Sequence, residues 1–183
     1  VEAEVLDPLN RGEDLFAQLL TDEPDCYSDR RRVILCRQLR AEADPNLSNA
    51  VAAAIAAAEE MEQLARENPA VPTLLHEVAQ LQLLSGRLYT ELDRPGLALS
   101  WFDRAVDSLT QAVEDVGPAS STARSIVIAE AALAAATLNN ADAHERLVLA
   151  RGHLTATLAQ TAGDEECRDL LRLVEAALES HEE

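Results

Sequence analysis

The 183-residue chain carries 15 basic against 33 acidic residues, a balance of −18, and every base is an arginine. Hydrophobic residues make up 48% but aromatics only 3%, so the core has to be built from Ala, Leu and Val. Such a chain is too apolar for disorder, is long enough for one domain spanning 1–183, and is too acidic to displace counterions from nucleic acid.

The longest apolar stretch, Ala50 to Ala58, stops at Glu59 and Glu60. A membrane span needs roughly 20 such residues, so none is predicted. Val1, Glu2 and Glu4 form neither a positive n-region nor an apolar h-region, and no signal peptide is read. Cys26, Cys36 and Cys167 are odd in number and irregular in spacing. That fits reduced thiols and a cytoplasmic setting.

Pro8, Pro24, Pro45, Pro69, Pro72, Pro95, Pro118, the Asn139-Asn140 pair and Gly163 punctuate the chain. Between them, apolar residues recur every three or four positions, with no sustained strand alternation. The pattern predicts an all-α fold of about eight helices: 13–20, 29–43, 47–67, 73–92, 95–116, 121–138, 142–162 and 164–181. Short turns make neighbours antiparallel, as in a bundle or a stack of αα-hairpins.

In chain order, Arg30-Arg31-Arg32 opens the second helix beside Asp25 and Asp29. It serves either as a solvated, paired face or as a dock for an acidic or phosphorylated segment, which guanidinium suits. Cys36 falls in the apolar Val33–Cys36 run, a setting for an inert buried thiol rather than a nucleophile. The linker 41–46 is expected to be too long for a tight hairpin turn. Pro95 fits a first helical turn, with Ala98, Phe102, Ala105, Leu109, Ala112, Val113 and Val116 forming one stripe behind it. Trp101 lies off that stripe, where it packs between hairpins or anchors a partner. Asp164 is placed to cap the last helix. In that helix Leu170, Leu171, Leu173, Val174 and Leu178 are more apolar than a cap requires, so 164–181 should pack on the body or on a second copy as a homodimer. Glu59-Glu60-Met61-Glu62 and Glu165-Glu166 are either solvated surface or an acidic groove for a basic peptide.

Gly86, Tyr89, Ala98, Phe102 and Ala105 stand at small–aromatic–small–aromatic–small offsets across two helices. Small residues let antiparallel helices approach, and each aromatic fills the pocket left between them. This hairpin resembles a tetratricopeptide repeat (TPR), with Ser85 and Gln82 where the family prefers leucine and tryptophan. Ala131, Ala134, Ala143, Leu147 and Ala150 repeat the offsets, and Ala57, Met61, Leu64 and Pro69 match a second helix alone. From Ala98 to Ala143 is 45 residues, against about 34 for an ordinary repeat. The helices are therefore longer, as in TPR-like variants. The resemblance spans 47–162 and leaves 1–46 as an N-terminal helical extension.

The resemblance implies a right-handed superhelix of hairpins whose first helices line a concave groove. Gln80, Leu83, Arg87, Thr90 and Glu91 would then contact a partner, joined from the next repeat by Ile128 on a face with Ser125, Ala132 and Ala135. The lysine/asparagine clamp by which some members hold a terminal carboxylate is replaced by Leu83 and Arg87. Chaperone C-terminal tails are therefore not the expected partners. A mixed apolar groove suits an amphipathic helix or extended apolar peptide better.

No catalytic constellation is read. His76, His144, His153 and His181 have no Glu three residues before them, and there is no Cys-x-x-Cys or His-Glu-x-x-His. No phosphate loop can be assembled from the scattered glycines, so no cofactor or metal is expected. The leading expectation is a non-enzymatic module binding a partner protein or peptide. The alternatives are a ligand- or peptide-sensing domain of a larger bacterial regulator, marked by a pocket rather than a groove, and a secretion-type chaperone. Arginine without lysine, with abundant alanine, points to a GC-rich genome.

Overall fold

The computed structural model describes residues 2–22, 26–71, 73–112, 118–161 and 163–181, with side chains from 8–21, 26–71, 73–112, 122–161 and 163–180. These residues form α1 (Glu2–Asp22), α2 (Tyr27–Ala43), α3 (Leu47–Glu67), α4 (Thr73–Glu91), α5 (Pro95–Ala112), α6 (Pro118–Thr137), α7 (Ala143–Gln160) and α8 (Glu165–His181), with no strand among them. No described helix is long and apolar enough to cross a membrane. Pro24, Asp25, Pro72, Val113, Val116 and Ala162 lie outside the described residues.

Helix limits follow local chemistry. The α3 limits match the expected 47–67, because the Asn46 side chain accepts hydrogen bonds from Ser48 N at 3.1 Å and Asn49 N at 3.2 Å. Asp164 likewise caps α8, its Oδ1 accepting from Cys167 N at 2.9 Å. Pro95 and Pro118 each open a helix, where a missing N–H costs nothing. Pro8 does not break α1, which runs from Glu2 through it and forgoes one i→i−4 bond. The α2–α3 linker does not bar a hairpin, contrary to expectation: α2 ends at Ala43, its expected limit, so only residues 44–46 precede Leu47, and α2 packs on α3.

The α4–α5 and α6–α7 turns close their first helices in the same way. Asp93 and Asn139 take left-handed backbone, with φ of 55° and 51°. Arg94 N donates to Tyr89 O and Asn140 N to Ala135 O, closing the preceding helices. Asp and Asn tolerate that conformation better than other residues carrying a Cβ. Between α4 and α5 the small–aromatic complement is tight: a Cβ on Gly86 would stand 2.3 Å from the Phe102 ring. Ala98, Phe102 and Ala105 are buried beside it. In the next hairpin Ala131, Ala134, Ala143, Leu147 and Ala150 are all buried as well.

Each helix packs on the next in the chain, and nothing comparable joins α1 to α8. The apolar interior is divided accordingly. Ile34, Met61, Leu64, Leu74 and Leu81 cluster where α2, α3 and α4 meet, and take in Trp101 from α5. Leu147, Leu154, Cys167 and Val174 cluster where α7 and α8 meet α6. The result is an open array rather than a bundle closed on one core. Among alternate helices, α6 packs on α8 and α4 touches α6, whereas no comparable packing joins α3 to α5 or α5 to α7. The array therefore bends with α4, α6 and α8 on its inner side.

Candidate functional site

Arg87 lies at the centre of the inner face. Its Nε donates to Glu130 Oε1 of α6 at 3.0 Å, and its Nη2 donates to Glu166 Oε1 of α8. One planar guanidinium thus joins three alternate helices, a role for which its forked donors are suited. Burial opposes the charge on Arg87, but the two carboxylates outweigh it and hold the group cationic. Burial pushes the Glu130 carboxyl above the ordinary range, Arg87 opposes that shift, and the charge of Glu166 adds to it. Beyond Glu130, Leu133 and Thr137 continue along α6; beyond Glu166, the exposed Leu173 and then Ala177 and Ser180 continue along α8. A cavity of about 360 Å³ lies between the far ends, lined by Leu133, Ala136, Thr137, Asn139, Ala177 and Ser180.

Of the residues expected to meet a partner, Gln80, Thr90 and Glu91 are exposed on α4 beside the partly exposed Arg87. Leu83 is half-buried and packs into the interhelical clusters instead. Ile128 is 8% exposed and belongs to the interior with Leu147 and Leu154. Together with Ala132 it also lines a small cavity of about 90 Å³ bounded by Val106 of α5 and Leu149 of α7. Ser125 hydrogen-bonds Thr157 of α7 at 2.8 Å, and Ala135 is buried beside Ala98 and Phe102 of α5. The expected Ser125–Ile128–Ala132–Ala135 face is thus turned towards the outer helices. Residues 125–129 are all buried, so α6 offers almost no polar side from which its orientation could be read. Glu130, one of two charged residues of α6 with Arg124, marks the inner face.

A cavity of about 490 Å³ lies on the outer side as a trough between α3 and α5 above α4. Ala65, Val71, Leu75 and Val78 supply its apolar surface, and Arg66, Asp107 and Gln111 stand at its rim. At its inner end Gln82, only 2% exposed, donates to Glu62 Oε1 at 2.8 Å and accepts from Ser108 Oγ at 2.9 Å. Glu62 also pairs with Arg104, whose guanidinium stacks 4.1 Å above Trp101. Gln82 therefore bridges α3 and α5 by hydrogen bonds, while Trp101 is buried between hairpins.

Similar pairs bridge other alternate helices. Arg31 forks onto Glu77 at 2.7 and 2.9 Å between α2 and α4, and Arg146 meets Asp103 at 2.7 Å between α7 and α5. Arg37 of α2 holds both Glu13 of α1 and Glu60 of α3. The Arg30–Arg32 cluster is consumed in this way, with Arg30 on Glu67 and Arg32 on Asp29. Among the described residues no group of three or more His, Cys, Asp or Glu is arranged around a metal position.

The divided core, the repeated turn and the sequential packing define an α-helical repeat protein. No protein-family model matches the chain, and no curated protein matches it. Among solved structures, a de novo designed helical repeat protein aligns over 99% of this chain and 95% of its own, at 18% identity and a TM-score of 0.36.

Proposed function

We propose that the chain is a non-enzymatic, TPR-like interaction module that receives a segment of a partner protein on its inner face. The observation that carries this is the continuous face of α4, α6 and α8, with Gln80, Thr90 and Glu91 exposed around Arg87. The TPR-like spacing of Gly86, Tyr89, Ala98, Phe102 and Ala105 supports it, since that family binds partners on the equivalent side. Probing a random peptide array with the full chain tests the reading. A chain carrying Gln80→Trp and Thr90→Trp, two exposed positions, should lose the peptides that the native chain retains. Unchanged capture by that variant would overturn the proposal.

The outer trough favours a second reading, a peptide- or ligand-sensing domain, because a concavity of about 490 Å³ with an apolar floor of Ala65, Val71, Leu75 and Val78 has the size of a small-molecule site. Under that reading, capture is lost with Gln111→Trp at the exposed rim and not with the inner-face variant.

A further inference from the structure

On the inner face, two carboxylates share one guanidinium. Glu130 and Glu166 against Arg87 leave one negative charge uncompensated, and the exposed Glu91 lies one turn beyond Arg87 on α4. Half of the Glu166 side-chain surface remains open to solvent. The other end of the α6–α8 groove is different in kind. Leu133, Ala136 and Ala177 line its cavity, with Thr137, Asn139 and Ser180 supplying neutral polar groups. Leu173, between the two ends, is 56% exposed, a large apolar side chain left open to solvent.

Glu130 and Thr137 are seven residues apart on one helix. At 1.5 Å per residue that separates the acidic end from the uncharged end by about 10 Å. A segment in the polyproline II conformation rises about 3.1 Å per residue and turns once in three residues, so side chains three apart stand about 9 Å from each other on one face. The geometry points to an extended partner segment with a basic side chain and, three residues on, an aliphatic one. The base meets Glu166 and Glu130 beside Arg87, and the aliphatic group enters the cavity between Leu133 and Ala177. Charge complementarity selects this occupant: an acidic segment would face two carboxylates, and a purely apolar one would leave the clasp unanswered. The chain's overall balance of −18 steers a basic segment in the same direction.

This inference rests on the inner-face reading and is tested with three labelled octapeptides of form Gly-Ser-Xaa-Gly-Gly-Yaa-Ser-Gly. The Xaa/Yaa pairs are Arg/Leu, Glu/Leu and Arg/Ser, titrated with the full chain by fluorescence anisotropy at low salt. The Arg/Leu peptide should bind at least about fivefold more tightly than either other peptide, in line with one charge-assisted bond or one buried aliphatic group. Glu166→Gln and Leu173→Ser, both at exposed positions that leave the core intact, should each weaken Arg/Leu severalfold. Binding of Glu/Leu as tight as that of Arg/Leu overturns the inference, as does indifference of Arg/Leu to both substitutions. If array-selected peptides are blocked by the inner-face tryptophans yet are acidic, the inference fails while the interaction reading stands.

Discussion

Arg87 shows at a single residue why arginine rather than lysine suits this chain. Its Nε and Nη2 reach carboxylates on two different helices at once, and an ammonium has no such fork. The reading of Glu166 as solvated surface or groove could not foresee the clasp, because its partner lies 79 positions away and pairing is decided by tertiary packing. Cys167 is simpler: it stands three residues before Leu170 and seven before Val174, on one helical face, and is buried with them. Burial and the neighbouring Asp164 push its thiol up to about 11. A thiol that keeps its proton more tightly when folded contributes full stability below the ordinary thiol value and loses it as pH rises to the folded value. Stability should therefore fall by about 2–3 kcal/mol between pH 9 and about pH 11. Denaturant melts of the native chain and of Cys167→Ala across that range check this. The variant, although less stable throughout, should lack that part of the slope.

At the scale of helices and hairpins, the α4–α5 pair was the most legible part of the sequence. Gly86 and Phe102 are complementary shapes, and the offsets that suggested contact correspond to a real close approach. Gly86→Ala would gain up to about 1 kcal/mol of helix propensity. The new Cβ nevertheless meets a buried ring that cannot swing aside, and overpacking of this kind costs about 1–3 kcal/mol. A net destabilisation is expected in chemical denaturation. Adding Phe102→Leu should relieve the clash, so the double variant should fall short of the sum of the two single losses. Helix α8 was legible for another reason: its apolar residues exceeded what a solvated cap needs. Leu170, Val174 and Leu178 are indeed buried in one cluster with Ile126, Leu147 and Leu154. A chain truncated after Gly163 uncovers that cluster and should self-associate by light scattering, whereas a monodisperse truncated chain would show that α8 is dispensable as a cover. By contrast, α6 carries alanine, with Ile126, Val127, Ile128 and Leu133, around most of its circumference from Ser125 on, so its pattern does not show which side faces in. Its rotation is set by which neighbours it meets, not by its own pattern.

Across the whole molecule, the array's curvature assigns the faces. Packing between α6 and α8, without an equivalent between α5 and α7, puts the even helices inside. Arginine pairs bridge alternate helices on both sides, α4 to α6 within and α3 to α5 and α5 to α7 without. The excess of acid, first legible only as an argument against nucleic acid, thus includes residues that hold neighbouring hairpins in register. The outer trough was not legible at all, because its lining is gathered from α3, α4 and α5 and no short motif carries it. The two faces make opposite demands on one experiment, an amide-resolved NMR titration of the full chain with a peptide selected from the random array. Shifts should group at Gln80, Arg87, Glu91, Glu130, Leu133 and Leu173. Shifts confined to Glu62, Leu75, Gln82, Arg104 and Gln111, with the inner face unmoved, would contradict it.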